Sequence, residues 1–322
     1  MAHAPNTLSL VADIGGTNTR VALADGREVL PDTVRRYRNA DHAGLEIVLR
    51  LYLEEEEVDP KAACVAVAGP VHDGRAEMTN LDWTIDAETV GRATRAERVS
   101  ILNDLQAQGH ALGFLSAAHI RTILPPPGAA SGTTKLVIGV GTGFNCAPVF
   151  DLPAGRAVMP SECGHITLPA RDEGDIALLR HVAEQHGFPS VEDVLSGRGV
   201  ERLYRWVSAR NGTPQEATAA DVMAACEAGT DPAAAESVRI FARMLGAVAG
   251  NLALIHLPFG GVYLVGGVAR AMAPYLAGHG FADAFRDKGR FADFMENFGV
   301  AVIEDDYAAL TGSAASLVAQ AG

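Results

Sequence analysis

The chain has 322 residues, 48% apolar and 20% charged, with a formal net charge of −13. Its length suits one large domain or two ordinary ones, and its composition is that of a water-soluble globular protein. The negative average field disfavours general affinity for nucleic acid or for anionic membranes, although backbone N–H groups can still build a local anion site.

The first apolar run, Leu8 to Ala12, meets Asp13-Ile14-Gly15-Gly16-Thr17-Asn18-Thr19-Arg20, and a second run, Val21 to Ala24, ends at Asp25-Gly26. This predicts strand, glycine turn, strand and a second turn. From Gly44 to Glu55 the spacing of Leu45, Val48, Leu49 and Tyr52 predicts an amphipathic helix. CVAVAGPV from Cys64 and RVSILND from Arg98 read as strands, the latter running into a helix from Asp104 to about Leu112. Pro125-Pro126-Pro127-Gly128 is the most linker-like stretch. KLVIGVGTGFNCAPVFDL then repeats the opening: apolar run, Gly141-Thr142-Gly143-Phe144-Asn145, apolar run. The repeat suggests an internal duplication of a nucleotide-handling unit. After Pro169 helices are expected over 173–186, 200–208, 219–228 and 232–255, the last with Asp231 as N-cap and Pro232 at the first helical position. GGVYLVGGVAR from Gly260 reads as a buried strand ending at Gly266-Gly267, Val300 to Ile303 as another, and a terminal helix begins near Tyr307. These elements make an α/β protein of two lobes around a cleft.

Glycine- and threonine-rich turns suit phosphate, because the backbone can approach closely and successive N–H groups converge on the anion. Neither turn is a Walker A, and neither opens a helix as a dinucleotide-binding turn does. Each alone reads more readily as an ordinary tight hairpin; two turns together with Gly266-Gly267 favour phosphate. Asp13, at the end of the first strand, suits Mg²⁺ held through water, or a role in bonding its own turn. Asn103-Asp104 ends a strand where α/β sheets place ligands. A carboxylate there can accept the proton of an attacking hydroxyl in phosphoryl transfer, and the same two residues suit a helix N-cap.

The stretch MPSECGHITL sets Glu162, Cys163 and His165 within four positions. A metal site, a cysteine nucleophile with a base, and a polar clamp for a small ligand all fit those residue types. The cysteines Cys64, Cys146, Cys163 and Cys226 form no C-x-x-C or C-x-C pair, which disfavours structural zinc and fits reduced cytosolic thiols. No basic n-region or long apolar h-region opens the chain and no stretch reaches ~18 uninterrupted apolar residues, so neither signal peptide nor membrane span is expected.

ADIGGTNTRVAL, ILND, IGVGTGFN, SECGH, VEDVLSG and GGVYLVGG, in this order, resemble the bacterial glucokinase family, the ATP-dependent branch of the actin-like, hexokinase-type (ribonuclease H-like) sugar kinases. The likeness runs from Leu8 to Leu317. The related ROK branch carries a zinc-binding C-x-C-G-x-x-G-C motif after the histidine; that motif is absent here, as is a DNA-binding extension ahead of the first strand. The resemblance implies a small domain of residues 1–114 plus about 305–322 and a large one of 115–304. It implies that Asp104 is the catalytic base toward the sugar 6-hydroxyl, and that Asn103, Asp104, Glu162, His165 and Glu192 bind the sugar. Gly15, Gly16, Thr17, Asn18, Gly141, Thr142 and Gly143 hold the ATP phosphates on this reading. Gly266 and Gly267 lie near the adenosine, and Asp13 assists Mg²⁺. It further implies closure of the lobes over the sugar, a homodimer, a cytoplasmic location and a place at the start of glycolysis. Glu192 also fits a capped helix start with a solvated side chain. Cys163 stands where the family has Gly or Ala, and Phe144-Asn145 where relatives have Leu-Gly; both departures bear on sugar selectivity more than on reaction type. A catalytically silent sensing regulator, a kinase for another hexose and a filament-forming ATPase are the alternatives.

Overall fold

The computed structural model describes residues 7–78, 83–126, 128 and 132–321. Pro127, within the linker-like stretch, lies outside the described residues. The chain divides into two compact units, one of residues 1–116, 153–160 and 305–322, the other of 117–152 and 161–304.

In the first unit β1 (Leu8–Ile14) and β2 (Asn18–Asp25) form an antiparallel hairpin, with β3 (Glu28–Val29) and β4 (Arg35–Arg38) both paired to β2. β1 pairs in parallel with β5 (Ala62–Val67), whose six residues are all buried, as a strand covered on both faces requires. β6 (Val71–His72), β7 (Arg75–Glu77) and β8 (Thr84–Asp86) make a small separate antiparallel sheet, and β9 (Arg98–Asn103) completes the main one in parallel with β5. The expected helix appears as α1 (Leu45–Glu56), burying Leu45, Val48, Leu49 and Tyr52. α2 (Ala87–Thr94) and α3 (Asp104–Ala111) follow, capped by Asp86 and Asn103.

The second unit repeats the same succession. β10 (Ile120–Leu124) lies at one edge, while β11 (Thr134–Val140) and β12 (Phe144–Leu152) form the hairpin. The chain then returns to the first unit through β13 (Gly155–Val158). There Arg156 donates to the carbonyls of Gly109, His110 and Leu112 at the end of α3, and Gln106 donates to Val158 O at 3.0 Å. Back in the second unit come α4 (Glu173–His186), α5 (Val191–Val194), α6 (Gly197–Arg210), α7 (Ala219–Ala228) and α8 (Pro232–His256). β14 (Val262–Val265) pairs in parallel with β11, α9 (Gly267–Leu276) and α10 (Phe281–Arg286) follow, and β15 (Val300–Ile303) pairs in parallel with β14 and antiparallel with β10. Hairpin followed by two parallel strands therefore occurs in both sheets, β2-β1-β5-β9 and β12-β11-β14-β15, which is the duplicated architecture expected from the repeated glycine turns. α11 (Ala308–Ala319) returns to the first unit, where Leu310, Ala314 and Leu317 pack on Val11, Ala22, Ala24, Ala62 and Cys64.

α8 is long and apolar enough to cross a membrane, but 72% of its most apolar window is buried within the protein, and Phe241, Leu245, Val248 and Leu252 belong to the core of the second unit. Its Asp231 cap accepts from Ala233 N at 2.8 Å, as the Asp-Pro signal predicts. α6 starts at Gly197, ahead of the expected Val200, because Ser196 caps it by accepting from Gly199 N at 3.1 Å.

Candidate active site

In the first unit the hairpin register pairs Asp13 with Arg20 and Ile14 with Thr19, leaving Gly15 to Thr17 as the connection. Gly15 N donates to Asn18 O at 3.0 Å. Asn39, which the sequence did not single out, braces this turn from outside. Its Nδ2 donates to Gly15 O at 2.8 Å, its backbone N–H donates to Thr17 O at 2.9 Å, and its Oδ1 accepts from Thr19 Oγ1 at 2.9 Å. Gly16 and Thr17 are exposed. Burial pushes the Asp13 carboxyl above its ordinary value, opposed by the Arg20 guanidinium 3.3 Å away.

At the end of β9 it is Asn103 that caps α3. Its Oδ1 accepts from Leu105 N at 2.9 Å and Gln106 Oε1 closes the capping box on Asn103 N at 3.1 Å. Asn103 Nδ2 donates to Gly69 O at 3.0 Å, so both polar ends of this side chain already serve the fold. Asp104, freed from capping duty, occupies the first helical position and accepts from Leu105 N at 2.8 Å.

In the second unit three separate segments converge on the other glycine turn. Gly141 N donates to Gly143 O at 2.9 Å, and Gly141 O accepts from Gly197 N at 2.8 Å at the start of α6. Gly266 has φ +104°, and a Cβ there would stand 2.5 Å from Val140 O, so only glycine lets the end of β14 pass this close to β11. α9 then starts at Gly267 with no side chain over its first N–H groups. Glu192 is not a solvated side chain: its Oε2 accepts from Phe144 N at 2.9 Å, and Arg198 lies 3.6 Å from Oε1. Ser190 and Asp193 do form the capping box that VEDVLSG suggested.

The SECGH segment is tied to the same place. Ile166 O accepts from Val191 N at 3.0 Å, Leu168 N donates to Pro189 O at 3.0 Å, and Thr167 bridges Ser190. Glu162 and His165 are exposed at either end of the turn, and Gly164 between them is buried. Asn145 organises the turn from β12. Its Nδ2 donates to Ser161 O and to Glu162 Oε2, the latter at 3.1 Å. Its Oδ1 accepts from Cys163 N at 3.1 Å and Ser161 Oγ at 3.1 Å. The Phe144-Asn145 departure thus acts on the SECGH turn: Phe144 is a core residue at 3% exposure and Asn145 aims at Glu162. Replacing Asn145 with Ala removes the amide that meets Glu162 and the acceptor shared by Cys146 N, Cys163 N and Ser161 Oγ. A loss of about 1–3 kcal/mol in unfolding free energy is expected; urea titration checks it.

The sequence model of the glucokinase family matches residues 10–320. The chain belongs to the glucokinase family. A glucokinase of Erwinia tasmaniensis is 33% identical over 316 residues, covering 96% of each chain. Among solved structures, a glucokinase from an Antarctic psychrotroph superposes with a TM-score of 0.86 at 31% identity, covering 97% of this chain and 98% of that one. A ROK family glucokinase from Streptomyces griseus, in complex with glucose and AMPPNP, is 19% identical with a TM-score of 0.66, covering 98% of this chain and all of that one. That likeness is one of fold alone. Glucokinase membership also explains why the motifs of two distant glycine turns, ILND and SECGH occur in one order along nearly the whole chain.

Proposed function

We propose that the chain transfers the γ-phosphoryl group of ATP to the 6-hydroxyl of glucose, giving glucose 6-phosphate and ADP at the start of glycolysis. The observation that carries this reading lies in the second unit. The backbone pairing of 166–168 with 189–191, and the Glu192 bond to Phe144 N, join the SECGH turn and Glu192 to the Gly141–Gly143 turn. Carboxylate and imidazole groups suited to sugar hydroxyls therefore neighbour a turn suited to phosphates. The ATP-analogue and glucose complex of the Streptomyces griseus protein and the name of the Erwinia tasmaniensis relative agree with it.

In this reading Glu162, His165 and Glu192 hold sugar hydroxyls, with Asn103 a weaker candidate because its side chain is spent on Gly69 and Leu105. Gly15–Asn18, Gly141–Gly143 and the Gly266-Gly267 start of α9 hold the nucleotide. Asp104 accepts the 6-hydroxyl proton as that oxygen attacks the γ-phosphorus and the bond to the β–γ bridging oxygen breaks. Among the described residues no three His, Cys, Asp or Glu side chains cluster, and Asp13 offers one partly buried carboxylate already beside Arg20. That set fits Mg²⁺ held chiefly by phosphate oxygens and water, with Asp13 in the outer shell, where the ion neutralises phosphate charge. A homodimer in the cytoplasm completes the proposal on the family resemblance; of the domain bounds that resemblance implies, residues 115–116 and 153–160 belong instead with the first unit. Glucose, mannose, fructose and glucosamine offered with ATP test it through ADP release. Glucose should give the highest kcat/KM; no release with any hexose would replace the kinase with a sensing regulator.

A further inference from the structure

Nothing in the cysteine spacing marks a thiol site, yet two of the four cysteines meet. Cys146 sits on β12 at 1% exposure, with its Sγ 3.3 Å from Ser161 Oγ. Cys163 opens the SECGH turn and is partly exposed. Cys163 N donates to the same Ser161 Oγ at 3.3 Å, so one hydroxyl touches both cysteines, and His256 at the end of α8 acts on Cys146. The backbone holds the pair together independently of the sulfurs. Asn145 Oδ1 accepts from the N–H of Cys146 at 2.8 Å and of Cys163 at 3.1 Å. The next residue, Gly164, is pressed so close to β12 that a Cβ on it would stand 2.0 Å from Phe144 O.

We propose that Cys146 and Cys163 are a peroxide-sensitive dithiol whose reversible disulfide alters sugar binding at the adjoining Glu162 and His165. The effect on sugar rests on the function proposed above; the disulfide does not. Several observations favour the pair over the other thiols. The Cys163 thiol, with His256 and Ser161, holds Cys146 well below the ordinary thiol range against the cost of burial, and the same contact pushes Cys163 up. These directions favour Cys146 as the attacking sulfur and Cys163 as the resolving one. Burial pushes Cys64 up to about 12 and also raises Cys226.

The chemistry balances with hydrogen peroxide as oxidant. The Cys146 thiolate attacks one peroxide oxygen, the O–O bond breaks and water leaves after taking a proton, giving a sulfenic acid. The Cys163 thiol then attacks that sulfur, the S–O bond breaks, and its proton leaves with the second water. Two thiols lose two electrons and two protons, and one peroxide becomes two waters. A covalent Cys146–Cys163 link redirects the first residue of the turn, whose neighbour Glu162 is aligned by Asn145.

The test treats the full chain with hydrogen peroxide, then reads intact mass, linked peptides and kinetics before and after dithiothreitol. The expected mass falls by two hydrogen atoms, with one linked peptide pair carrying Cys146 and Cys163, and dithiothreitol reverses it. KM for glucose is expected to rise about tenfold while the link is present. C163A and C146A should each keep the reduced protein's kinetics and form no linked peptide pair, C163A taking up oxygen at Cys146 instead. Four thiols surviving peroxide, oxygen added without a link, or a link through Cys64 or Cys226 would overturn the dithiol. A link with unchanged KM would overturn its control of sugar binding. If the reduced protein shows no glucose turnover, the functional reading fails, and the mass result still decides the disulfide.

Discussion

Asp104→Ala is expected to lower kcat for glucose phosphorylation by about 10³-fold, within the range general bases contribute, while glucose still binds within a few-fold of normal. The separation follows from how the segment is built. Asn103, not Asp104, caps α3 and completes the box with Gln106, so removing the Asp104 carboxylate leaves the helix start intact. Leu105 N loses one acceptor at 2.8 Å and keeps Asn103 Oδ1 at 2.9 Å. The helix start therefore keeps its cap in the variant. Asp104→Asn, which preserves shape and removes the proton acceptor, should behave like the alanine variant. ADP release measures kcat, calorimetric titration measures glucose binding, and thermal melts check folding. Turnover near normal in either variant would remove Asp104 from the chemistry and leave it as a helix-start residue.

Much of this architecture was written in local signals. α4 begins at its Asp172 cap and ends at Gly187, and α7 begins at Thr218 and ends at Gly229; both ends of both helices carry residues whose chemistry stops or starts a helix. The elements that escaped lack such signals or contradict them. α9 opens on a glycine pair and contains Pro274, and β4 is Arg-Arg-Tyr-Arg, with no apolar alternation to betray a strand. The same division runs through the candidate site. Turn residues such as Gly15 and Gly141 stand out because glycine itself is the signal. The residues that hold those turns in shape do not: Asn39 reaches back to Gly15 and Thr17, Asn145 forward to Ser161, Glu162 and Cys163, and His256 to Cys146. A polar side chain whose partner lies far along the chain has no local pattern to announce it. Glycine's purpose can also be misjudged from sequence. A glycine between Glu162 and His165 reads as a turn residue, and at Gly164 what the fold demands is room.

That room makes Gly164→Ala a disruptive substitution in the second unit's site. Gly164 is buried, and its added methyl would stand 2.0 Å from Phe144 O, 3.0 Å from Phe144 C and 3.5 Å from Glu192 Cβ. The obstacle is backbone, the carbonyl of the first residue of β12, which pairs with Val140 beside the hairpin turn, so no rotamer change relieves it. The turn must lift away from β12. Lifting it stretches the Asn145 bonds to Cys163 N and Glu162 Oε2, and crowds the Glu192 side chain that binds Phe144 N. Overpacking of this kind costs about 2 kcal/mol, and because the displaced groups are those assigned to the sugar, KM for glucose should rise about 100-fold, some 2.7 kcal/mol of lost binding. KM for ATP should move less, because the Gly141–Gly143 turn keeps its own bonds to Gly197 and within itself. Gly278→Ala, where nothing lies within 4 Å of the added methyl, controls for the loss of glycine alone and should leave both constants unchanged. A Gly164→Ala protein with normal melting and an unaltered KM for glucose would mean that the SECGH turn does not set the sugar site, and Glu162 and His165 would lose their assigned role with it.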